Sequence, residues 1–79
     1  MLDQEKLRAV IAAVLNVDLS RIGPNSSSDT IESWDSLRHM NLILALEEEF
    51  GVILPDEDGA NATSYQLLVI VLRELLESE

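Results

Sequence analysis

The stretch from Ser36 to Phe50 reads as one helix whose apolar residues fall on two nearly opposite sides. Asp35 is placed to cap its start and Gly51 to stop it. At about 100° per residue, Leu42, Ile43, Leu46 and Phe50 gather on one side, with His39 in the same sector. Leu37, Met40 and Leu44 form a second stripe, flanked by Asn41, Glu47 and Glu48. A chain of 79 residues buries only about 60% of the surface its unfolded form exposes. Its core supplies only about 3–5 kcal/mol of net stability. Such a domain has inward use for one stripe, not two. The second either packs under the loop or the short turn beside it, or meets other proteins.

The other elements follow from the same periodicity. Leu7, Val10, Ile11, Val14 and Leu15 recur at the spacing of one helical face, which places a helix over about Asp3 to Asn16 with Asp3 as its cap. A long loop follows, from about Val17 to Trp34, broken by Gly23-Pro24-Asn25 and continued by Ser26-Ser27-Ser28-Asp29. Val17, Leu19, Ile22 and Ile31 are the residues expected to pin it, through a short turn beginning at Asp18. A loop of this length in a small domain is either packed down or functional. Val52 to Leu54 is too short to seed a sheet, and Pro55 ends it. Asp56 to Asn61 is read as one short helical turn. Thr63 is expected to open the last helix, in a capping box with Gln66. Leu68, Val69, Leu72, Leu75 and Leu76 form that helix's core stripe. The expected fold is all-α: a single domain over 1–79, a small up-down bundle of three main helices plus one short helix, with a long loop between helices one and two.

Composition narrows the function. Fifteen acidic residues against five basic ones give a net charge of −10. That disfavours nucleic acid and anionic membrane as partners, since both need cationic patches. It suits solubility and steering toward basic protein surfaces. Cysteine is absent, so disulfides and thiolate metal sites are excluded. The N-terminal residues lack the basic-then-apolar order of a signal peptide, and no apolar run reaches spanning length. The chain reads as a cytoplasmic monomer, and the sequons at Asn25 and Asn61 as chance matches.

Ser36 in the first turn of a helix is ordinarily only structural. It also stands where free amides and the positive end of the helix dipole stabilise an added phosphodiester, on a loop side open to a modifying enzyme. Asp35 caps the helix in either case and is placed either to orient the serine or to help hold a divalent cation during modification. Asp35, Ser36 and His39 do not read as a hydrolase triad: three residues in one turn cannot set the acid beyond the imidazole or build an oxyanion hole. No catalytic residue is assigned. His39 is the only histidine, which excludes a multi-histidine metal site, and it reads as semi-buried and structural. Counted from Asp56, a calcium loop needs glycine sixth and glutamate twelfth; Asn61 and Leu67 stand there. No metal site is assigned. Trp34 is read as anchoring the loop end, and Tyr65 as packing at the start of the last helix.

Asp35-Ser36-Leu37, the run Leu42-Ile43-Leu44-Ala45-Leu46-Glu47-Glu48-Glu49-Phe50-Gly51-Val52, and Leu54-Pro55-Asp56-Glu57 together resemble the acyl carrier proteins, also called phosphopantetheine-binding carrier proteins. The likeness spans nearly the whole chain. It implies a non-enzymatic carrier, with 4′-phosphopantetheine attached covalently to Ser36 by a phosphopantetheinyl transferase. The arm's thiol would hold an acyl or aminoacyl intermediate as a thioester, chemistry that a cysteine-free chain lacks. Asp35 and Leu37 match motif residues that meet the modifying enzyme. Leu44, Glu47 and Glu48 match positions that partner enzymes recognise, and Arg38, Met40 and Asn41 complete the expected docking set. Arg38, His39, Met40 and Asn41 stand where carriers of fatty-acid synthesis usually place further acids. With Trp34 they resemble stand-alone carriers of specialised pathways, paired with a dedicated acyl- or aminoacyl-activating ligase and downstream transferases. The alternative is a non-covalent helical interaction module without a prosthetic group.

Overall fold

The computed structural model describes residues 2–77. Met1, Ser78 and Glu79 lie outside it. Helix α1 spans Gln4–Leu15, α2 Ser36–Phe50, α3 Asp56–Asn61 and α4 Tyr65–Glu77, with a 3-10 turn at Leu19–Arg21 in the long first loop. The architecture is the expected all-α bundle. Among the described residues the extended pairing is one isolated bridge, Ser27 with Ser64.

Each helix starts and stops for a local reason. The Asp3 carboxylate accepts the Lys6 amide at 3.1 Å to open α1. Asn16 closes it in the left-handed conformation, its amide reaching the Ala12 and Ala13 carbonyls, a geometry asparagine tolerates better than most residues. Asp35 opens α2 by accepting the Arg38 amide at 2.8 Å, and Gly51 closes it at φ 65°, where a Cβ would be strained.

The core is one cluster. Leu7, Ile11 and Leu15 from α1 meet Leu42 and Leu46 from α2 and Leu68 and Leu72 from α4, all fully buried. The long loop is packed down on this cluster through Ile22, Ile31 and Trp34. Backbone bonds fasten it as well: the Tyr65 amide donates to the Ser26 carbonyl at 2.9 Å and the Ser28 amide to the Thr63 carbonyl at 2.9 Å. Arg8 extends across from α1 to the Ile22 and Leu19 carbonyls. Leu19, expected to pin the loop, instead stays 46% exposed. The 3-10 turn offers its carbonyl to Arg8 rather than its side chain to the core.

The last helix also begins later than expected. Thr63 and Ser64 are held by the bridge to the loop, and α4 starts at Tyr65. Its cap is Ser64, whose hydroxyl accepts the Leu67 amide at 3.2 Å. Thr63 and Gln66 therefore form no capping box. Replacing a serine cap by alanine typically costs ~1 kcal/mol. In urea unfolding, Ser64→Ala is expected to lose about that much and Thr63→Ala distinctly less; the reverse order would restore Thr63 as the cap.

Tyr65 is buried, with its hydroxyl donating to Gln4 Oε1 at 3.0 Å. Burial pushes its phenol above the ordinary value of 10.0, against a smaller downward pull from Arg8 and Arg73. The folded chain thus keeps a proton that the unfolded chain has begun to release at pH 10.0. The resulting stabilisation is complete below that pH and is lost as pH rises through the folded value. Tyr65 is the single tyrosine, so phenolate absorbance reads it alone. Its midpoint is expected above 10.0, with unfolding free energy declining on the alkaline side; a midpoint at or below 10.0 contradicts this.

Candidate functional site

The sequence after Trp34 builds a helix start with an open mouth. Asp35 sits outside the helix with extended backbone, and Ser36 is the first helical residue. The Asp35 carboxylate takes the Arg38 amide and the Asp35 carbonyl takes the His39 amide at 2.8 Å. The Ser36 and Leu37 amides are among the first-turn donors that a helix leaves without an internal partner. Ser36 is exposed, as are Asp35 and Leu37. Anionic oxygens at this end of a helix meet free amides and the dipole's positive end.

Two neighbours hold this start in place. The Trp34 indole N–H donates to His39 Nδ1 at 3.0 Å, and the two rings stack with centroids 6.2 Å apart. Because the indole is only a donor, Nδ1 accepts and the imidazole proton sits on Nε2. That N–H donates to the Gly59 carbonyl of α3 at 2.7 Å. Both ring nitrogens are thereby committed away from Ser36, so His39 is no base for the serine. The Trp34–His39 link was not legible as such in the sequence. The clue available was an aromatic residue five positions before a histidine on the core side of α2.

The second stripe of α2 is open to solvent. Leu37 is 70% exposed, Met40 65% and Leu44 62%. Asn41 and Glu48 are exposed beside them, so these five share a face. Arg38 and Glu47 fall on opposite edges of that face and are half-buried. Arg38 turns toward the end of α1, where it borders a hollow with Asn16 and Arg21. Glu47 is tied into the fold: its Oε2 accepts the Leu54 amide at 2.8 Å, and its carbonyl accepts the Val52 amide at 3.2 Å. Three further exposed apolar residues, Ile53, Leu67 and Ile70, were missed. Ile53 is 83% exposed between buried Val52 and Leu54; the period of two in that triplet was the available signal.

Two hollows adjoin the serine's side of α2. One of about 470 Å³ is bordered by Ser36, Trp34, His39, Met40 and Ala60. The other, of about 390 Å³, runs along Met40, Ile43, Leu44, Leu54 and Pro55 toward α3.

Residues 5–72 match the family described as "Phosphopantetheine attachment site". The chain is 42% identical over 62 residues to a protein named acyl carrier protein from Thermosynechococcus vestitus, covering 78% of this chain and 76% of that one. It is 47% identical over 55 residues to acyl carrier proteins of two strains of Helicobacter pylori, covering 70% of each chain.

The bond from Glu47 to the turn after α2 has a measurable consequence. Removing the acceptor leaves a partly buried amide unpaired, which costs about 1–3 kcal/mol. Glu47→Ala is expected to destabilise the bundle by roughly that amount in denaturant unfolding. Glu48→Ala, at an exposed position, should move stability by less than about 0.5 kcal/mol. Equal effects for the two would show that the Glu47–Leu54 bond carries no stability.

Proposed function

From the premise that the chain belongs to the phosphopantetheine-binding acyl carrier protein family, we propose that Ser36 is the residue that bears its arm. The family's members are carriers, not catalysts, and this chain is one of them: it holds acyl groups as thioesters on covalently attached 4′-phosphopantetheine. The arm supplies the thiol that the cysteine-free chain lacks. What the chain's own residues contribute is the root of the arm. The observation that carries the Ser36 assignment is an exposed serine at the first residue of α2, beside a hollow it borders. Asp35 keeps that helix end formed, and the first-turn amides suit the phosphate oxygens.

The family meets phosphopantetheinyl transferases and enzymes of acyl pathways. The finer reading is ours. Asp35 and Leu37 meet the modifying enzyme. Met40, Asn41, Leu44 and Glu48 form the main docking face, with Arg38 and Glu47 at its edges. Exposed leucine and methionine on a polar-rimmed helix suit several partners in turn, and the net charge of −10 steers toward basic surfaces. The cargo is an acyl or aminoacyl group loaded by a dedicated activating ligase and passed to downstream transferases. We place the protein in the cytoplasm as a monomer that engages neither nucleic acid nor membrane. The charge supports that reading, and no helix among the described residues is long and apolar enough to cross a membrane. The non-covalent module is not favoured, because the family match centres on prosthetic-group attachment.

Incubation with coenzyme A and a broad-specificity phosphopantetheinyl transferase should add one phosphopantetheine mass to the wild type. Ser36→Ala should gain none while keeping the helical circular dichroism of the parent. Modification of the alanine variant, or a wild type that stays unmodified, removes Ser36 from the role.

A further inference from the structure

Arg21 and Arg38 are cations that the fold leaves unused. Lys6 and Arg8 bond to backbone carbonyls, and Arg73 borders a hollow with Leu2 and Glu77. Neither Arg21 nor Arg38 makes a side-chain hydrogen bond or an ion pair among the described residues. Both border one hollow of about 410 Å³, enclosed by the end of α1, the long loop and the start of α2. Leu15, Val17 and Ile31 give it an apolar floor, and Asn16, Glu32, Ser33 and Asp35 its remaining polar lining. Ser33 Oγ is buried there without a hydrogen-bond partner among the described residues, a costly state for a hydroxyl. Its proton can rotate to meet an oxygen that enters.

An apolar floor, two unpaired guanidinium groups and a spare hydroxyl suit a short apolar chain that ends in a carboxylate. The arginine fork matches a planar carboxylate through two parallel bonds. The hollow already holds two carboxylates. Asp35 commits Oδ1 to the Arg38 amide at 2.8 Å, while Glu32 is exposed and unpaired. Together they offset the two arginines, in a chain of net charge −10. A free anion therefore gains little here, since exposed ion pairs are weak and screened by salt. A tethered anion stands differently. This hollow shares Asp35 with the one at Ser36, and a short flexible tether presents its end at a millimolar effective concentration.

We propose that the hollow between Arg21 and Arg38 is a cargo site, which receives the terminal carboxylate of a short dicarboxylic acyl group carried on the arm. Arg21 and Arg38 hold the carboxylate, with Ser33 and Asn16 as neutral donors beside them. Leu15, Val17 and Ile31 cover the methylenes. Glu32 opposes the arginines and leaves the site to an anion that the tether delivers. The inference rests on Ser36 as the root of that tether.

The test loads the intact protein from glutaryl coenzyme A, isotope-labelled at its free carboxyl, and from an uncharged isostere that ends in an isopropyl group. Carbon NMR follows the titration of the carboxyl, and nitrogen NMR the arginine side-chain N–H resonances, both at low salt. In the wild type the Arg21 and Arg38 resonances should move with the glutaryl arm and stay in place with the isostere. Replacing both arginines, Arg21→Gln with Arg38→Gln, should lower the acid dissociation constant of the carboxyl roughly two- to fivefold, the range that exposed ion pairs supply. Arg73→Gln, at a different hollow, should leave it unchanged. Glu32→Gln should raise it, and reads the same site should the arginine variant unfold. Free glutarate at millimolar concentration should not move the arginine resonances. An equal response to both arms, or to free glutarate, overturns the proposal, as does a carboxyl that titrates alike in the wild type and the arginine variant. Failure of the wild type to gain any mass refutes the Ser36 assignment instead.

Discussion

Helix α2 has one side that this small core can bury. Leu42 and Leu46 are fully enclosed by α1 and α4 residues, and that contact fixes how the helix is rotated. Once it is fixed, Leu37, Met40 and Leu44 must face water. His39 must point toward α3, and Ser36 must sit at the open end. The exposed stripe is therefore a consequence of core packing, not a separate device. A core limited to roughly 3–5 kcal/mol has no second layer with which to cover it.

The helix limits of α1 and α2 were legible because short-range chemistry sets them. Asp3, Asp35 and Gly51 act within a turn of their own position. The core stripes were legible because burial repeats with the helical period. The start of α4 was not. Thr63 and Ser64 both present a hydroxyl suited to a cap, and the choice is made by a bridge to Ser27, remote in sequence. A helical wheel likewise set Glu47 at the edge of the outer stripe but could not reveal that Leu54 uses its carboxylate. At the site, the serine and the second stripe could be read locally, but whether that stripe is covered by the loop or open to solvent could not. The Trp34–His39–Gly59 chain could not, since it joins three segments whose proximity exists only in the folded state.

The charges show a similar division of labour. Lys6 is spent on the Glu49 carbonyl at 2.8 Å and lies 5.2 Å from the Phe50 ring centre. Arg8 is spent on loop carbonyls. Two of the five cations thus serve backbone oxygens inside the molecule. Both cations keep their charge, and Lys6 also lies 3.8 Å from Glu49 Oε2, whereas Glu48 stands on the open face of α2 with no cation beside it among the described ion pairs. Screening at physiological salt reaches about 8 Å. Such a surface therefore acts mainly on encounter and orientation, which suits brief meetings with many enzymes.

A carrier needs its tether point rigid and its tether mobile. At Ser36, the tether point we propose, rigidity comes from both sides: the Asp35 cap before it, and the His39–Trp34 pair one turn after. Neither touches the serine side chain, so holding the root does not hinder the arm. The same pair also draws α3 onto α2 through a single carbonyl. A six-residue helix is too short to be stable alone, so its position depends on such contacts. A bundle that opened to enclose a long chain would have to surrender the His39–Gly59 bond and expose part of Leu54 and Ile43. With so little stability in reserve, that loss would have to be repaid by the cargo's own burial.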